Sequence, residues 1–300
     1  MRTARRALLC VIQLIIATTV LVLGSAPASA ASLVQITNFG NNPTNLGMYL
    51  YVPDTRPANP AVVVAVHYCT GSGPAFYSGT PFAQLADQRG FIVIYPSATR
   101  SGGCFDVSSP GALRHSGNSD PVGIVSMVNY VKQNYSADPN RIFVVGQSSG
   151  AMMTNVLLGD YPDVFKAGAA FSGVPFGCFA TTDGSSWNSQ CSSGQLIKTA
   201  QQWGDLVRAA YPGYSGARPR MQVWHGTNDT TLNYANFTEE IKQWTNVAGL
   251  SQTPTSTDSP QSGWTRTRYG SAVEAISVQG GPHNLPLNPA ASYAIGFFGL

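Results

Sequence analysis

Short runs of β-branched and aliphatic residues recur along the chain, and each is followed by Gly, Ser, Pro or a polar loop. Continuous apolar runs of this kind are typical of parallel strands that are buried on both faces of a sheet. The predicted strands are residues 61–66, 91–95, 141–145 and 221–224. Helical periodicity lies between them, notably at residues 122–135 and 152–158. Strands that alternate with helices predict the α/β class, with a mostly parallel central sheet flanked by helices.

Two further pairs of strands are expected outside this alternating region. Residues 33–37 and 47–52 precede any helix and predict an opening antiparallel pair, and residues 264–269 and 273–278 predict a second pair. In α/β sheets, reactive groups gather in the loops beyond the carboxyl ends of the parallel strands. The search for catalytic residues therefore concentrates on these loops.

The first thirty residues have the pattern of a secretory signal peptide. Arg2, Arg5 and Arg6 precede the apolar run of residues 7–23, and Ala-Ser-Ala at residues 28–30 forms a cleavage site. A membrane anchor is the alternative, but it needs about 20 apolar residues with charges beyond them, whereas small and polar residues follow here. The expected organisation is a signal peptide at 1–30, and a single catalytic domain at 31–300 that is exported and has no membrane association.

The charge of the mature chain excludes some partners. The whole chain carries 17 Lys and Arg and 14 Asp and Glu, and removal of three arginines with the signal peptide leaves the two signs equal. No basic cluster follows residue 6, so nucleic acid is not an expected partner. The substrate is expected to carry little or no charge.

The cysteines of the mature chain are even in number: Cys69, Cys104, Cys178 and Cys191. In an exported protein they predict two disulfides rather than a zinc site, because no C-x-x-C pair is present. Four cysteines allow three connectivities, and their spacing favours only the pairing of Cys178 with Cys191.

A nucleophile motif follows the strand at 141–145. The sequence GQSSG at residues 146–150 fits G-x-S-x-G, with a strand before it and a helix after it. In this context the tight strand-to-helix turn presents Ser148 above the sheet edge, and the N–H groups that follow it point to where an oxyanion forms. An ordinary Ser-Gly turn is the alternative, but the flanking elements favour a catalytic serine.

A serine nucleophile needs a base and an acid later in the chain. His225 and His283 follow Ser148, and only His283 gives the order Ser, Asp, His with Asp229. His225 is therefore interpreted as a structural residue that holds the loop of Asp229. A purely structural role for His283 is the alternative.

Two other acidic residues compete with Asp229 for the role of the acid. Asp205 lies in a helical pattern and Asp258 in a polar loop, so neither obviously leaves the end of a strand. Asp229 would orient His283 and stabilise its protonated form. The loop HYCTG at residues 67–71 lies where this fold provides a second oxyanion donor, although an ordinary turn is the alternative from the sequence alone.

These residues resemble the acetylxylan esterases of carbohydrate esterase family one, which are related to feruloyl esterases and polyhydroxybutyrate depolymerases. The resemblance covers nearly the whole mature chain, and its stretches include AVHYCTG, CFDVSS, SSGAMMTNVLLGDYPDVF, QVWHGTNDTTL and GPHNLP. It implies an α/β-hydrolase fold and the triad Ser148, Asp229 and His283. It also implies an oxyanion hole formed by the backbone N–H groups of Cys69 and Ser149.

The resemblance further implies the disulfides Cys69–Cys104 and Cys178–Cys191. Two positions depart from the family pattern: Phe105 stands where relatives often carry Trp, and Pro282 replaces the usual Gly. The first is expected to alter contacts with the substrate, and the second to stiffen the loop of His283.

The activity implied is removal of acetyl groups from acetylated xylan through an acyl-enzyme, by an extracellular monomer that needs no metal or organic cofactor. A feruloyl esterase shares all of this chemistry and is the alternative within the same class. A non-catalytic carbohydrate-binding protein on the same scaffold is the alternative from another class, although such proteins usually lack a triad residue. The candidates for stacking on sugar rings are Trp187, Trp203, Trp244 and Trp264, but burial is the commoner position of tryptophan, so none of them is assigned.

Overall fold

One mixed β-sheet runs through the residues that this computed structural model describes, 31–300, and within that range it has ten strands. Their order across the sheet is β1-β2-β4-β3-β5-β6-β7-β10-β9-β8. The expected signal peptide lies outside the described residues. The strands are β1 (Val34–Ile36), β2 (Gly47–Tyr51), β3 (Val62–Val66), β4 (Ile92–Ser97), β5 (Ile142–Gln147), β6 (Ala167–Phe171), β7 (Arg220–Gly226), β8 (Ser256–Asp258), β9 (Trp264–Tyr269) and β10 (Val273–Val278).

The centre of the sheet is parallel, and its two ends are antiparallel. Strands β4, β3, β5, β6, β7 and β10 are parallel neighbours. The opening pair β1 and β2, and the late pair β9 and β10, are antiparallel as predicted. Strand β10 also pairs in parallel with β7, and this second pairing brings the two loops that follow these strands together.

Helices cover both faces of the sheet. They are α1 (Gly73–Gly79), α2 (Phe82–Arg89), α3 (Asp120–Tyr135), α4 (Ser149–Asp160), α5 (Ser189–Ser192), α6 (Ala200–Ala210), α7 (Ala235–Val247) and α8 (Leu287–Phe298). Strand β3 shows why the run of residues 61–66 is apolar throughout. Val62, Val64 and Val66 belong to a hydrophobic cluster that includes residues of α3, α4, α6 and α7, whereas Val63 and Ala65 belong to a second cluster that includes residues of α1, α2 and α8. Burial on both faces is typical of parallel α/β sheets, and the predicted fold class is confirmed.

The described part of the chain contains no helix that is long and apolar enough to span a membrane.

Candidate active site

Ser148 occupies a strained turn between β5 and α4. Its backbone has φ 55° and ψ −117°, a conformation that residues with a side chain rarely adopt. The N–H of Ser148 donates to the carbonyl of Phe171 at 2.9 Å and fixes the turn against β6. A Cβ atom at Gly146 would overlap the backbone of Gly150, and one at Gly150 would overlap the carbonyl of Val66. Glycine is therefore required on both sides of the serine, as the motif predicts.

His283 connects Ser148 to Asp229. It lies in the loop after β10, with its Nε2 2.8 Å from the Oγ of Ser148 and its Nδ1 2.8 Å from Oδ2 of Asp229. Because an ionised carboxylate can only accept, Nδ1 carries the proton and donates to it. The Nε2 lone pair then faces the hydroxyl of Ser148, which is the arrangement that a general base needs.

Asp229 follows β7 and is buried. Its Oδ1 accepts the N–H groups of Thr231 and Leu232, each at 2.9 Å, and its Oδ2 also lies 3.1 Å from Nε2 of His225. Burial alone would raise the pKa of Asp229, but the hydrogen bonds from His225, His283 and Leu232 outweigh burial and hold this pKa well below the usual range of a carboxyl group. The Asp229 side chain is thus an anion with fixed hydrogen bonds.

The structure gives the competing residues other partners. Nε2 of His225 lies 2.8 Å from the carbonyl of Leu232, so this histidine does hold the loop of Asp229. Asp205 is exposed on α6 and pairs with Arg208. Asp258, expected in a loop, instead ends the short strand β8 and pairs with Arg266.

Backbone contacts fasten the loop that carries Asp229 to the loop that carries His283. The N–H of Thr227 donates to the carbonyl of Val278 at 3.0 Å, and the N–H of Asn228 donates to the carbonyl of Gly281 at 2.9 Å. These bonds extend the parallel pairing of β7 with β10 beyond the ends of both strands.

The two residues expected to donate to an oxyanion follow neighbouring parallel strands, β3 and β5. Cys69 follows β3, and Ser149 is the first residue of α4. Within residues 31–300, neither backbone N–H is donated to another protein atom. Cys69 forms a disulfide with Cys104, and the second disulfide joins Cys178 to Cys191.

A cavity of about 500 Å³ opens in front of Ser148 and His283. Its wall also includes Tyr68, Trp187 and Leu232, to which the sequence analysis assigned no role at the site. Trp187 lies in a long loop without an apolar pattern, so no sequence signal separated it from core tryptophans. Apart from His283, none of the described lining residues belongs to the basic or acidic types.

The aromatic residues divide into exposed and core groups. Trp187 is 47 % exposed, whereas Trp203 and Trp244 are fully buried and Trp264 packs edge-on against Trp224. Phe105 is also buried, with its ring 4.7 Å from that of His67. Phe105 is not among the described residues that line the cavity, and its expected effect on contacts with the substrate stays a prediction.

No group of His, Cys, Asp and Glu within the described chain has the arrangement of a metal site.

Comparisons with known proteins relate this geometry to described enzymes. A model of the family described as esterase PHB depolymerase matches residues 46–268. A probable acetylxylan esterase A of Aspergillus flavus is 47 % identical over 86 % of each chain. A feruloyl esterase B of Talaromyces stipitatus is 48 % identical over 90 % of this chain and 76 % of its own.

Solved structures show which fold the chain shares. The acetyl xylan esterase from Aspergillus awamori superposes with a TM-score of 0.87 at 45 % identity, over 89 % of this chain and 99 % of its own. FphF, a fluorophosphonate-binding serine hydrolase of Staphylococcus aureus, superposes with a TM-score of 0.59 at 14 % identity, over 90 % of this chain and 98 % of its own. This second likeness concerns the fold alone, and together the two confirm the predicted α/β-hydrolase fold.

Proposed function

The chain belongs to the esterase PHB depolymerase family and is a carboxylic ester hydrolase, and we propose that it is a secreted enzyme that removes acetyl groups from acetylated xylan. The observation that carries the mechanism is the continuous hydrogen-bond chain from Ser148 through His283 to Asp229. The substrate follows from the relatives, several of which are named acetylxylan esterase at 45–48 % identity.

Acylation begins when Nε2 of His283 takes the proton of Ser148 and the serine oxygen attacks the acetyl carbonyl. The negative charge that develops on the carbonyl oxygen is stabilised by the N–H groups of Cys69 and Ser149. Asp229 stabilises the protonated imidazole but does not take its proton. His283 then gives the proton to the sugar oxygen, which leaves as an alcohol.

Deacylation repeats these steps with water in place of the serine. His283 removes a proton from the water, the hydroxyl attacks the acetyl-serine, and the proton returns to the oxygen of Ser148 as acetate leaves. Side chains and backbone of this chain suffice for every step.

The character of the cavity agrees with a neutral carbohydrate ester. Its lining has no lysine, arginine, aspartate or glutamate that would bind a charged substrate, within the residues described. Tyr68 and Trp187 are partly exposed aromatic residues in its wall. Flat aromatic surfaces with a polar edge suit contact with both the apolar face and the hydroxyl groups of a sugar ring.

Hydrolysis of hydroxycinnamoyl esters is the second candidate function. It is favoured by the feruloyl esterase B relative, which is as similar to this chain as the acetylxylan esterases are. A non-catalytic carbohydrate-binding role is disfavoured, since such a role does not require the bond between His283 and Ser148.

The test compares acetate release from acetylated xylan with ferulate release from a feruloylated oligosaccharide. Acetate release should be faster, and faster ferulate release would assign the second function. Ser148→Ala should lower turnover by about 10⁶-fold, by analogy with serine proteases. Ser78→Ala, an equal change at an exposed serine of α1, should leave turnover unaltered. Retention of a tenth of the activity by Ser148→Ala would exclude this serine as the nucleophile.

Export is tested separately, by sequencing the amino terminus of the protein recovered from the culture medium. The proposed cleavage predicts that the mature chain begins at Ala31. Retention of the protein inside the cells would contradict it.

A further inference from the structure

His67 is fully buried beside the candidate oxyanion hole, and both of its ring nitrogens have backbone partners. Its Nδ1 lies 2.6 Å from the carbonyl oxygen of Tyr68, and its Nε2 lies 3.0 Å from the N–H of Ala98. A carbonyl can only accept and a backbone N–H can only donate, so Nδ1 carries the proton and Nε2 the lone pair. Burial also lowers the pKa of His67, which favours this neutral form.

The carbonyl of Tyr68 and the N–H of Cys69 belong to the same peptide group. Such a group is planar and, here, trans, so its C=O and N–H point in opposite directions. The carbonyl accepts from His67 and also from the N–H of Gly71 at 3.1 Å. These two bonds hold the carbonyl on the side of His67, so the N–H of Cys69 points away from His67, and Cys69 is one of the residues that line the cavity.

The disulfide between Cys69 and Cys104 does not fix this orientation by itself. It holds the side chain of Cys69, whereas a flip of the preceding peptide changes only the adjoining backbone torsions and leaves the Cβ atom nearly in place. The hydrogen bond from His67 opposes such a flip directly, because the flip would remove its acceptor.

Neighbouring residues hold His67 in position. The ring of Phe105 packs against it, and the N–H of Phe105 donates to Oγ of Ser149 at 2.8 Å. At Gly71, an added Cβ would lie 2.9 Å from the carbonyl oxygen of Tyr68 and 3.0 Å from Nδ1 of His67. A side chain at position 71 would therefore press on the bond that orients the peptide.

We propose that His67 is a positioning residue that orients the N–H of Cys69 towards the oxyanion by holding the carbonyl of the same peptide. The inference deepens the proposed esterase mechanism and rests on it. An oxyanion donor acts on the developing charge of the transition state more than on the bound ester. Loss of His67 should consequently lower kcat and leave KM nearly unaltered.

Two substitutions separate the bonds of the ring. In His67→Asn, the amide nitrogen takes the place of Nδ1 and still donates to Tyr68, but the N–H of Ala98 loses its acceptor. In His67→Gln, the amide oxygen takes the place of Nε2 and still accepts from Ala98, but the donor to Tyr68 is lost. With p-nitrophenyl acetate, we expect His67→Gln to lose about 10²–10³ in kcat, and His67→Asn to recover turnover to within about tenfold of wild type despite a lower unfolding temperature.

His115→Gln is the matched control. Nδ1 of His115 also lies 2.7 Å from a backbone carbonyl, that of Asp160, but this ring packs between Tyr161 and Tyr211, outside the cavity lining. The control should lower the unfolding temperature without lowering kcat. It therefore shows what loss of such a hydrogen bond does when no oxyanion donor shares the peptide.

The inference is overturned if folded His67→Gln retains the wild-type kcat, or if the two His67 variants lose kcat equally. If His67→Gln does not fold, the inference is tested with Gly71→Ala instead. A lower kcat at unaltered KM in this variant supports the inference, and a wild-type kcat overturns it. Failure of the proposed function looks different, because the wild-type protein would then release no acetate, or Ser148→Ala would remain active.

Discussion

Replacement of Asp229 by Asn changes one carboxylate oxygen to an amide and tests how the triad is oriented. Asn can keep its Oδ1 as the acceptor for the N–H groups of Thr231 and Leu232, so the loop after β7 should retain its conformation. Its amide nitrogen then faces Nδ1 of His283 and Nε2 of His225, both of which donate in the wild-type protein. Donors would thus face donors at two contacts.

The least costly rearrangement moves the proton of His283 from Nδ1 to Nε2. The amide can then donate to Nδ1, but Nε2 carries a hydrogen and cannot accept the proton of Ser148. The same change of tautomer in a serine protease lowers kcat by about 10⁴-fold. A loss of this size corresponds to about 5.5 kcal/mol in activation free energy.

The assay is kcat for acetyl ester hydrolysis by folded Asp229→Asn, with Asp205→Asn as the control at an exposed carboxylate. The control should retain wild-type kcat. Stability against pH gives a second measurement. The pKa of Asp229 is lower in the folded than in the unfolded chain, so its contribution to stability is full well above about pH 4 and is lost as the pH falls further. Asp229→Asn should therefore lose less stability than wild type on acidification. Retention of more than a tenth of kcat would refute the assigned role of Asp229.

Burial raises the pKa of Glu240 on α7 to about 8. Between about pH 4.3 and pH 8 the folded chain therefore keeps a proton on Glu240 that the unfolded chain releases. The stability that the protein loses for this reason grows with pH over the same range. Urea unfolding should show that Glu240→Gln stabilises the protein by on the order of 3 kcal/mol at pH 7 and hardly at all at pH 4.5. An equal gain in stability at both pH values would contradict the raised pKa of Glu240. Cys104→Ser should lower turnover, because it frees the loop of Cys69. Cys178→Ser, which opens the bridge to Cys191 across 13 residues, should mainly lower the free energy of unfolding, by about 3 kcal/mol. Near-wild-type turnover in both variants would show that the Cys69–Cys104 disulfide does not help to hold the oxyanion donor of Cys69.

The sequence predicted the strands that are rich in large or β-branched residues and missed two strands, the short polar edge strand β8 and the central strand β6. Strand β6, Ala167–Phe171, has the sequence AGAAF, and neither alanine nor glycine favours strands. Its small residues allow α4 to pack closely on the sheet, because a Cβ at Gly168 would lie 2.8 Å from side-chain atoms of both Thr154 and Leu158. That requirement comes from a helix packed across the strand, so no local pattern could reveal it.

The family resemblance is confirmed by the relatives near 47 % identity. The residues Ser148, Asp229 and His283 could be proposed from the sequence because each follows a predicted strand. The residues that line the cavity could not be predicted from the sequence in this way. Trp187 reaches the cavity from the loop between β6 and α5, which has no periodic pattern. Phe105 was singled out because relatives often carry Trp at this position, whereas its own ring is buried beside His67.

The backbone bonds between the loops after β7 and β10 have a consequence for how this enzyme can diverge. Asp229 and His283 are 54 residues apart in sequence, yet the two bonds that join their loops run directly from residues 227 and 228 to residues 278 and 281. Loop closure becomes only slightly more costly as a connection lengthens. The segment at residues 251–263, which is mostly exposed and includes the edge strand β8, is therefore the natural place for insertions or a grafted module. Variation there can change what the protein attaches to while its hydrolytic chemistry is inherited intact.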